Sequence, residues 1–105
     1  MKIKKIPFPN VVDVLCLKPW EHSLRCDVAD YEFDISVEQE GHNIIFSISM
    51  FHCGVWLGDG MTTAVRDSMD IEQYNPLIRK WYELACEDMQ KIFEEQITKK
   101  YLEKE

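Results

Sequence analysis

Between Cys26 and Val65 the chain has no lysine and no arginine. The same stretch carries seven acids: Asp27, Asp30, Glu32, Asp34, Glu38, Glu40 and Asp59. A run this one-sided repels a phosphate backbone and an anionic membrane, so it disfavours direct nucleic-acid and membrane binding and favours a basic partner. Glycine and proline are scarce, four of each, and no repeat or low-complexity segment appears. No Cys-x-x-Cys pair exists, which removes the commonest local signature of a zinc site. Gly54, Gly58 and Gly60 surround Val55-Trp56-Leu57, but no Lys-Ser or Lys-Thr comes after them, so they read as turn glycines and not as a phosphate loop. No stretch is long and apolar enough to cross a bilayer. Met1-Lys2-Ile3-Lys4-Lys5 has the charge of a signal-peptide start, yet Pro7, Pro9, Asn10 and Asp13 interrupt the apolar residues after it and no small-residue cleavage site appears. The expectation is a cytoplasmic protein whose Cys16, Cys26, Cys53 and Cys86 are thiols.

What is present suits one globular domain over residues 1–105. The hydrophobic fraction is 46%, with five Phe, three Trp and four Tyr. A chain of 105 residues builds a core without metal or disulfide staples. The net charge of −7 is unevenly spread. Residues 1–25 hold five basic and two acidic side chains, residues 26–65 none and seven, residues 66–105 seven and ten, which sum to +3, −7 and −3.

Residues 1–10 form a basic, proline-punctuated lead in which Lys2, Lys4 and Lys5 suit an arm, a short edge strand or a solvated end. Val11 to Leu17 is β-branched, which favours strand, with a short helix capped by Asn10 as the alternative. Lys18-Pro19-Trp20 ends that element. Leu24, Cys26 and Val28, then Tyr31, Phe33, Ile35 and Val37, alternate with polar residues, the period of a half-buried strand. The apolar parity shifts across Ala29-Asp30, which calls for a bulge or a turn. Gln39-Glu40-Gly41-His42 predicts a turn, and Asn43 to Phe51 a second strand with Ile44, Phe46, Ile48 and Met50 inward. The register expected is Val37 opposite Ile44, Ile35 opposite Phe46, Phe33 opposite Ile48 and Tyr31 opposite Met50. Val55 to Leu57 predicts a third strand, and Met61 to Tyr74 a turn or two of helix. Asn75-Pro76 marks a helix start. Leu77, Ile78, Trp81, Ala85, Met89, Ile92 and Phe93 form its apolar stripe, docking over Pro76 to about Glu95. Ile97, Tyr101 and Leu102 point elsewhere, so residues 96–105 read as a loosely held helical tail.

The fold class is therefore α+β, an antiparallel sheet of three to four strands with a long C-terminal helix on one face. With a helix over 11–17 the order becomes α-β-β-β-α, which resembles a double-stranded-RNA-binding domain in topology. That family carries a basic patch at the start of its last helix, where this chain offers only Arg79 and Lys80.

Glu32, Asp34 and Glu38 share one strand face, and alternate residues stand about 6.8 Å apart, near the phosphate spacing of a nucleic-acid strand. Such a row mimics nucleic acid toward a groove of Lys and Arg. A solvated, edge-protecting face is the plainer reading of the same residues. The function expected is a small acidic protein-binding module of the inhibitor, immunity or phage anti-defence kind. It would occupy a basic nucleic-acid-handling surface through Asp27, Asp30, Glu32, Asp34, Glu38 and Glu40. The alternative is an assembly module that forms a homodimer through the C-terminal helix. A small enzyme built on Cys53 with His22 or His42 ranks third, and no cofactor, metal or catalytic residue is assigned. A zinc site would need His22, Cys26 and His52 or Cys53 brought together over long range. Ile45 and Phe51 are apolar on the expected wet face, to be covered by the N-terminal segment or by a partner, internal cover being the plainer reading. Trp20, Trp56 and Trp81 are core or half-buried anchors, with Trp56 alternating outward. An exposed one would mark an interface hot spot.

Overall fold

The computed structural model describes residues 4–17 and 24–103, without the side chains of 101–103. The roles expected of Lys2, Trp20, His22 and the side chains of Tyr101 and Leu102 lie outside those residues. The order is α1 (Val11–Leu15), β1 (Leu24–Val28), β2 (Tyr31–Glu40), β3 (Asn43–His52), β4 (Val55–Asp59), β5 (Thr63–Arg66) and α2 (Ile71–Glu103). Among the described residues all strand pairs are antiparallel in one five-stranded sheet, and α2 lies across one face of it.

Three two-residue turns build the meander. Ala29 and Asp30 (φ 50° and 70°) join β1 to β2, and Cys53 and Gly54 (φ 52° and 82°) join β3 to β4. Paired left-handed residues are what a type I′ hairpin requires, because its twist matches that of the strands. The parity shift at Ala29-Asp30 is thus a turn. Gly41 (φ 63°) and His42 alone join β2 to β3. The shorter turn moves the register two residues from the one expected: Val37 faces Phe46, Ile35 faces Ile48, Phe33 faces Met50 and Tyr31 faces His52. A shift of two keeps every side chain on its face, so the inner and outer sets stand.

Four other expectations change. Residues 11–15 are helical, not strand: Val14 is fully buried while Val12 and Asp13 are exposed, a helical and not an alternating pattern. The strand begun at Val55 runs on to Asp59. Residues 63–66 form a strand, not helical turns, and pair with Asn43–Phe46 of β3 while β4 pairs with Ser49–His52. Both lie on the side of β3 away from β2, and the chain passes between them at Gly60, whose amide donates to the Ile48 carbonyl at 2.7 Å. A Cβ there would stand 2.7 Å from Ile48 Cγ2, so only glycine fits without displacement. Finally, α2 begins at Ile71. Asp70 precedes it, its carbonyl accepts from the Gln73 and Tyr74 amides, and its own amide donates to Gln73 Oε1 at 3.3 Å, half of a capping box. Pro76 then sits inside the helix.

The helix buries Ile78, Trp81, Tyr82, Ala85, Met89 and Phe93 against the sheet. Leu77, placed on the stripe by its periodicity, is exposed, and Ile97, expected to face away, packs partly buried against the core. Phe93 meets Tyr31 and Phe33 edge-on, with centroids 5.4 and 6.2 Å apart. Two buried aromatics of the helix have their polar tips satisfied: Trp81 Nε1 donates to the Met61 carbonyl and the Tyr82 hydroxyl to the Pro9 carbonyl. The lead is no strand over residues 4–10. Gln90 holds it by accepting from the Ile6 amide (2.9 Å) and donating to the Lys4 carbonyl (3.2 Å).

Candidate protein-docking face

Both helices and the lead pack on the inner face, where α1 contacts α2 and Phe8 meets Phe33 at 5.7 Å. The described part of the lead, residues 4–10, therefore does not cover Ile45 and Phe51, which stay half-buried on the other side. Alternation along the paired strands defines that outer face. One cross-strand row reads Asp27, Glu32, Phe51, Trp56; the next reads Arg25, Asp34, Ser49, Asp59. Beyond them stand Ser36 and Ser47, their hydroxyls 3.0 Å apart, then Glu38, Ile45 and Ala64, and last Glu40, Asn43 and Arg66. None of these residues is buried.

The six predicted contact acids fall in three places. Asp27, Glu32 and Asp34 cluster at one end. Glu38 and Glu40 stand exposed further along β2, with Glu40 about 27 Å from Glu32 at strand rise. Asp30 sits in the left-handed turn, exposed and off the row.

The cluster is already partly neutralised. Arg25 Nε lies 3.3 Å from Asp34 Oδ1 and Arg25 Nη1 3.5 Å from Glu32 Oε1. The contact to Asp34 lacks hydrogen-bond geometry, and that oxygen is buried with no hydrogen-bond partner among the described residues. Burial pushes the Asp34 carboxyl above the ordinary carboxylate value; Arg25 opposes this, and Glu32 and Asp27 add to it. Arg66 reaches the far end of the same face. The two arginines that bound the cation-free stretch thus both fold onto it, and the face carries six carboxylates against two guanidinium groups among the described residues.

A second group emerges only in the fold. Trp56 is 58% exposed. Its Nε1 donates to Asp59 Oδ1 at 3.0 Å, and Ser49 Oγ donates to the same oxygen at 2.6 Å. These bonds hold the Asp59 carboxyl below its ordinary value. The indole is therefore fixed on the outer face beside Phe51, its cross-strand neighbour. A register shift between Met50 and Phe51 displaces the ladder here. Only the outward alternation of Trp56 signals this group in the sequence; the bond to Asp59 needs the bulged register.

The nucleophile arrangement does not assemble from the described residues. His42 and Cys53 flank opposite ends of the ten-residue β3, and the His52 ring stacks on Tyr31 at 4.3 Å. Cys26 and Cys86 are pushed up to about 12 and about 11, chiefly by burial, which keeps both as thiols. Among the described residues no three His, Cys, Asp or Glu side chains converge on one point, and none of the helices is long and apolar enough to cross a membrane.

No protein-family model matches this chain, no curated protein matches its sequence, and no solved structure matches it.

Proposed function

We propose that this chain is a small protein-binding module that docks its uncovered sheet face on a basic surface of another protein, in the manner of an inhibitor that takes the place of nucleic acid. The supporting observation is the division of the sheet. One face is roofed by α2, while the other presents Asp27, Glu32, Asp34, Glu38, Glu40 and Asp59 on rigid strands with no buried member. Carboxylates fixed on a sheet lose little entropy on binding and suit charge-assisted hydrogen bonds to Lys and Arg. Glu38 and Glu40, with Asp27 and Asp59, make the first contacts, because none of the four has an ion-pair partner among the described residues. Glu32 and Asp34 engage only as the partner's cations displace Arg25. The test is capture from lysate with the tagged protein. A true partner elutes steeply as salt rises and is displaced by duplex nucleic acid, and Glu38→Lys with Glu40→Lys abolishes capture while circular dichroism is unchanged. Capture that survives both salt and charge reversal refutes the reading.

A second reading, assembly through α2, has one observation in its favour. Leu77 and Leu84 are exposed one heptad apart on the helix. If it holds, Leu84→Glu converts an oligomer to a monomer in sedimentation, and truncation of the wild-type chain after Glu95 weakens the oligomer on its own. A wild-type chain that sediments as a monomer at high concentration removes it.

A further inference from the structure

We propose that Trp56, Asp59 and Ser49 form an arginine-recognition site, at which a single arginine of the partner stacks its guanidinium on the Trp56 indole and bonds to the free oxygen of Asp59. The site rests on the docking face of the proposed function and names the side chain that the face selects. Three features carry it. The indole is exposed but not free to turn, since its only donor is spent on Asp59 Oδ1. What it offers a ligand is its ring face, the part that attracts a cation. Asp59 takes both of its bonds on Oδ1, so Oδ2 meets no donor among the described residues. Those bonds also keep the carboxyl ionised. No described cation competes here, because Arg25 is spent on Glu32 and Asp34 across the sheet, and Arg66 lies at the far end of the face beside Asn43.

The geometry favours arginine over lysine. A planar guanidinium lies flat on an indole and still turns an edge N–H toward a carboxylate beside the ring. An ammonium is a point donor that keeps its water and makes one of these contacts at a time. Phe51, next to Trp56, extends the apolar floor under the arginine stem. The neighbouring Glu32 and Asp27 raise the local negative potential and treat both cations alike.

Hexa-arginine and hexa-lysine serve as probes, titrated at low salt while the indole N–H signals are followed by NMR. The Trp56 signal is the one lost in Trp56→Phe. Hexa-arginine binds about fivefold more tightly than hexa-lysine and shifts the Trp56 signal, as expected for one stacked guanidinium. Trp56→Ala removes the preference by weakening hexa-arginine far more than hexa-lysine. Asp59→Asn, which takes a carboxylate from the face, weakens both peptides but hexa-arginine more, so the ratio between them falls toward one. Glu38→Lys with Glu40→Lys weakens both peptides alike. Equal binding of the two peptides by the wild-type chain overturns the site and leaves the docking face standing. A preference that survives Trp56→Ala also overturns it. If neither peptide binds, the docking face itself fails. Trp56 is exposed, so its loss leaves the core intact, and Asp59→Asn, which keeps the indole, provides a second measure should Trp56→Ala fail to fold.

Discussion

Arg25→Gln removes the cation that sits between Glu32 and Asp34, and its effects on stability and binding should have opposite signs. The guanidinium approaches the two carboxylates at 3.5 and 3.3 Å. A bare pair at that distance in water is worth about 1 kcal/mol. The Arg25 side chain is 62% exposed and one guanidinium serves both carboxylates, so screening and the entropy of holding a long side chain reduce the two contacts together to about 0–1 kcal/mol. Loss of the arginine should therefore cost the fold at most about 1 kcal/mol, a fall of about 4–8 °C in melting temperature for a domain near this size. Binding should improve. A basic probe no longer has to displace Arg25, and the gain of up to about 1 kcal/mol is about fivefold in Kd. The net charge also moves from −7 to −8. Hexa-lysine titrated against the two proteins measures this directly. The tightening should appear at low salt and fade as ionic strength rises. Unchanged or weaker binding would show that Glu32 and Asp34 take no part in the contact, and would confine docking to Asp27, Glu38, Glu40 and Asp59.

Phe93→Ala removes a nearly fully buried ring that meets both Tyr31 and Phe33, and should cost about 3–5 kcal/mol in urea unfolding, a large part of what a single domain has. A loss below about 1 kcal/mol would mean that α2 does not dock as described. Gly60→Ala places a methyl 2.7 Å from Ile48 Cγ2 and 3.0 Å from Met89 Cε, and should destabilise by about 1–3 kcal/mol. Asp34→Asn tests the raised Asp34 carboxyl. Its side chain is 17% exposed, and in the fold it holds its proton above the ordinary value of 3.8. Between those two values the folded chain binds more protons than the unfolded one, so stability falls as pH rises through that window. The asparagine variant escapes this: it should match the wild type below pH 3.8 and exceed it at neutral pH, read by urea unfolding at both. Thiol labelling of the folded protein should spare Cys26 and Cys86, whose titration is pushed up to about 12 and about 11, and reach them only on unfolding.

Much of the frame is legible in the sequence because the strands alternate strictly. Tyr31, Phe33, Ile35 and Val37 are all buried, and Glu32, Asp34 and Ser36 between them are not. Period two fixes which face a side chain takes without fixing its partner, so the sidedness holds while the register moves by two residues. Turn chemistry decides the register: Gly41 and His42 close the hairpin alone, so Gln39 and Glu40 belong to the strand. β5 is hidden because Thr63 to Arg66 is too short to show a period, and only its pairing with Asn43–Phe46 makes it a strand. The start of α2 is masked because Asn75-Pro76 imitates a cap one turn late, while the Asp70 and Gln73 pair does the capping. The charge of the face is obscured for a different reason. Counting along the chain gives forty positions without a cation, but strand pairing sets Arg25 against Asp34, and Arg66 beside Asn43, which itself pairs with Glu40. Neighbours across a sheet are remote in sequence, so a linear charge run overstates the field that a partner meets.

In the proposed reading, stability and recognition fall to alternate residues of the same strands. The odd-numbered side chains of β2 from Tyr31 to Val37 make the core with Phe93 and Met89, while the even-numbered ones face outward. Substitutions at Glu38, Glu40 or Trp56 should therefore change little in folding, because none of the three is buried, and on the proposed reading they change binding. Asp34 is the exception. Its side chain is largely withdrawn from solvent, held beside Arg25 with an unpartnered oxygen. A carboxylate kept in that state costs the free protein stability, and a partner's arginine or lysine that reached it would relieve the cost. The gain would appear only in the complex. Wild-type affinity for a basic probe should accordingly exceed that of Asp34→Asn even though the variant is the more stable chain. If the asparagine variant binds as tightly as the wild type, the raised Asp34 carboxyl is a packing cost alone and has no share in recognition.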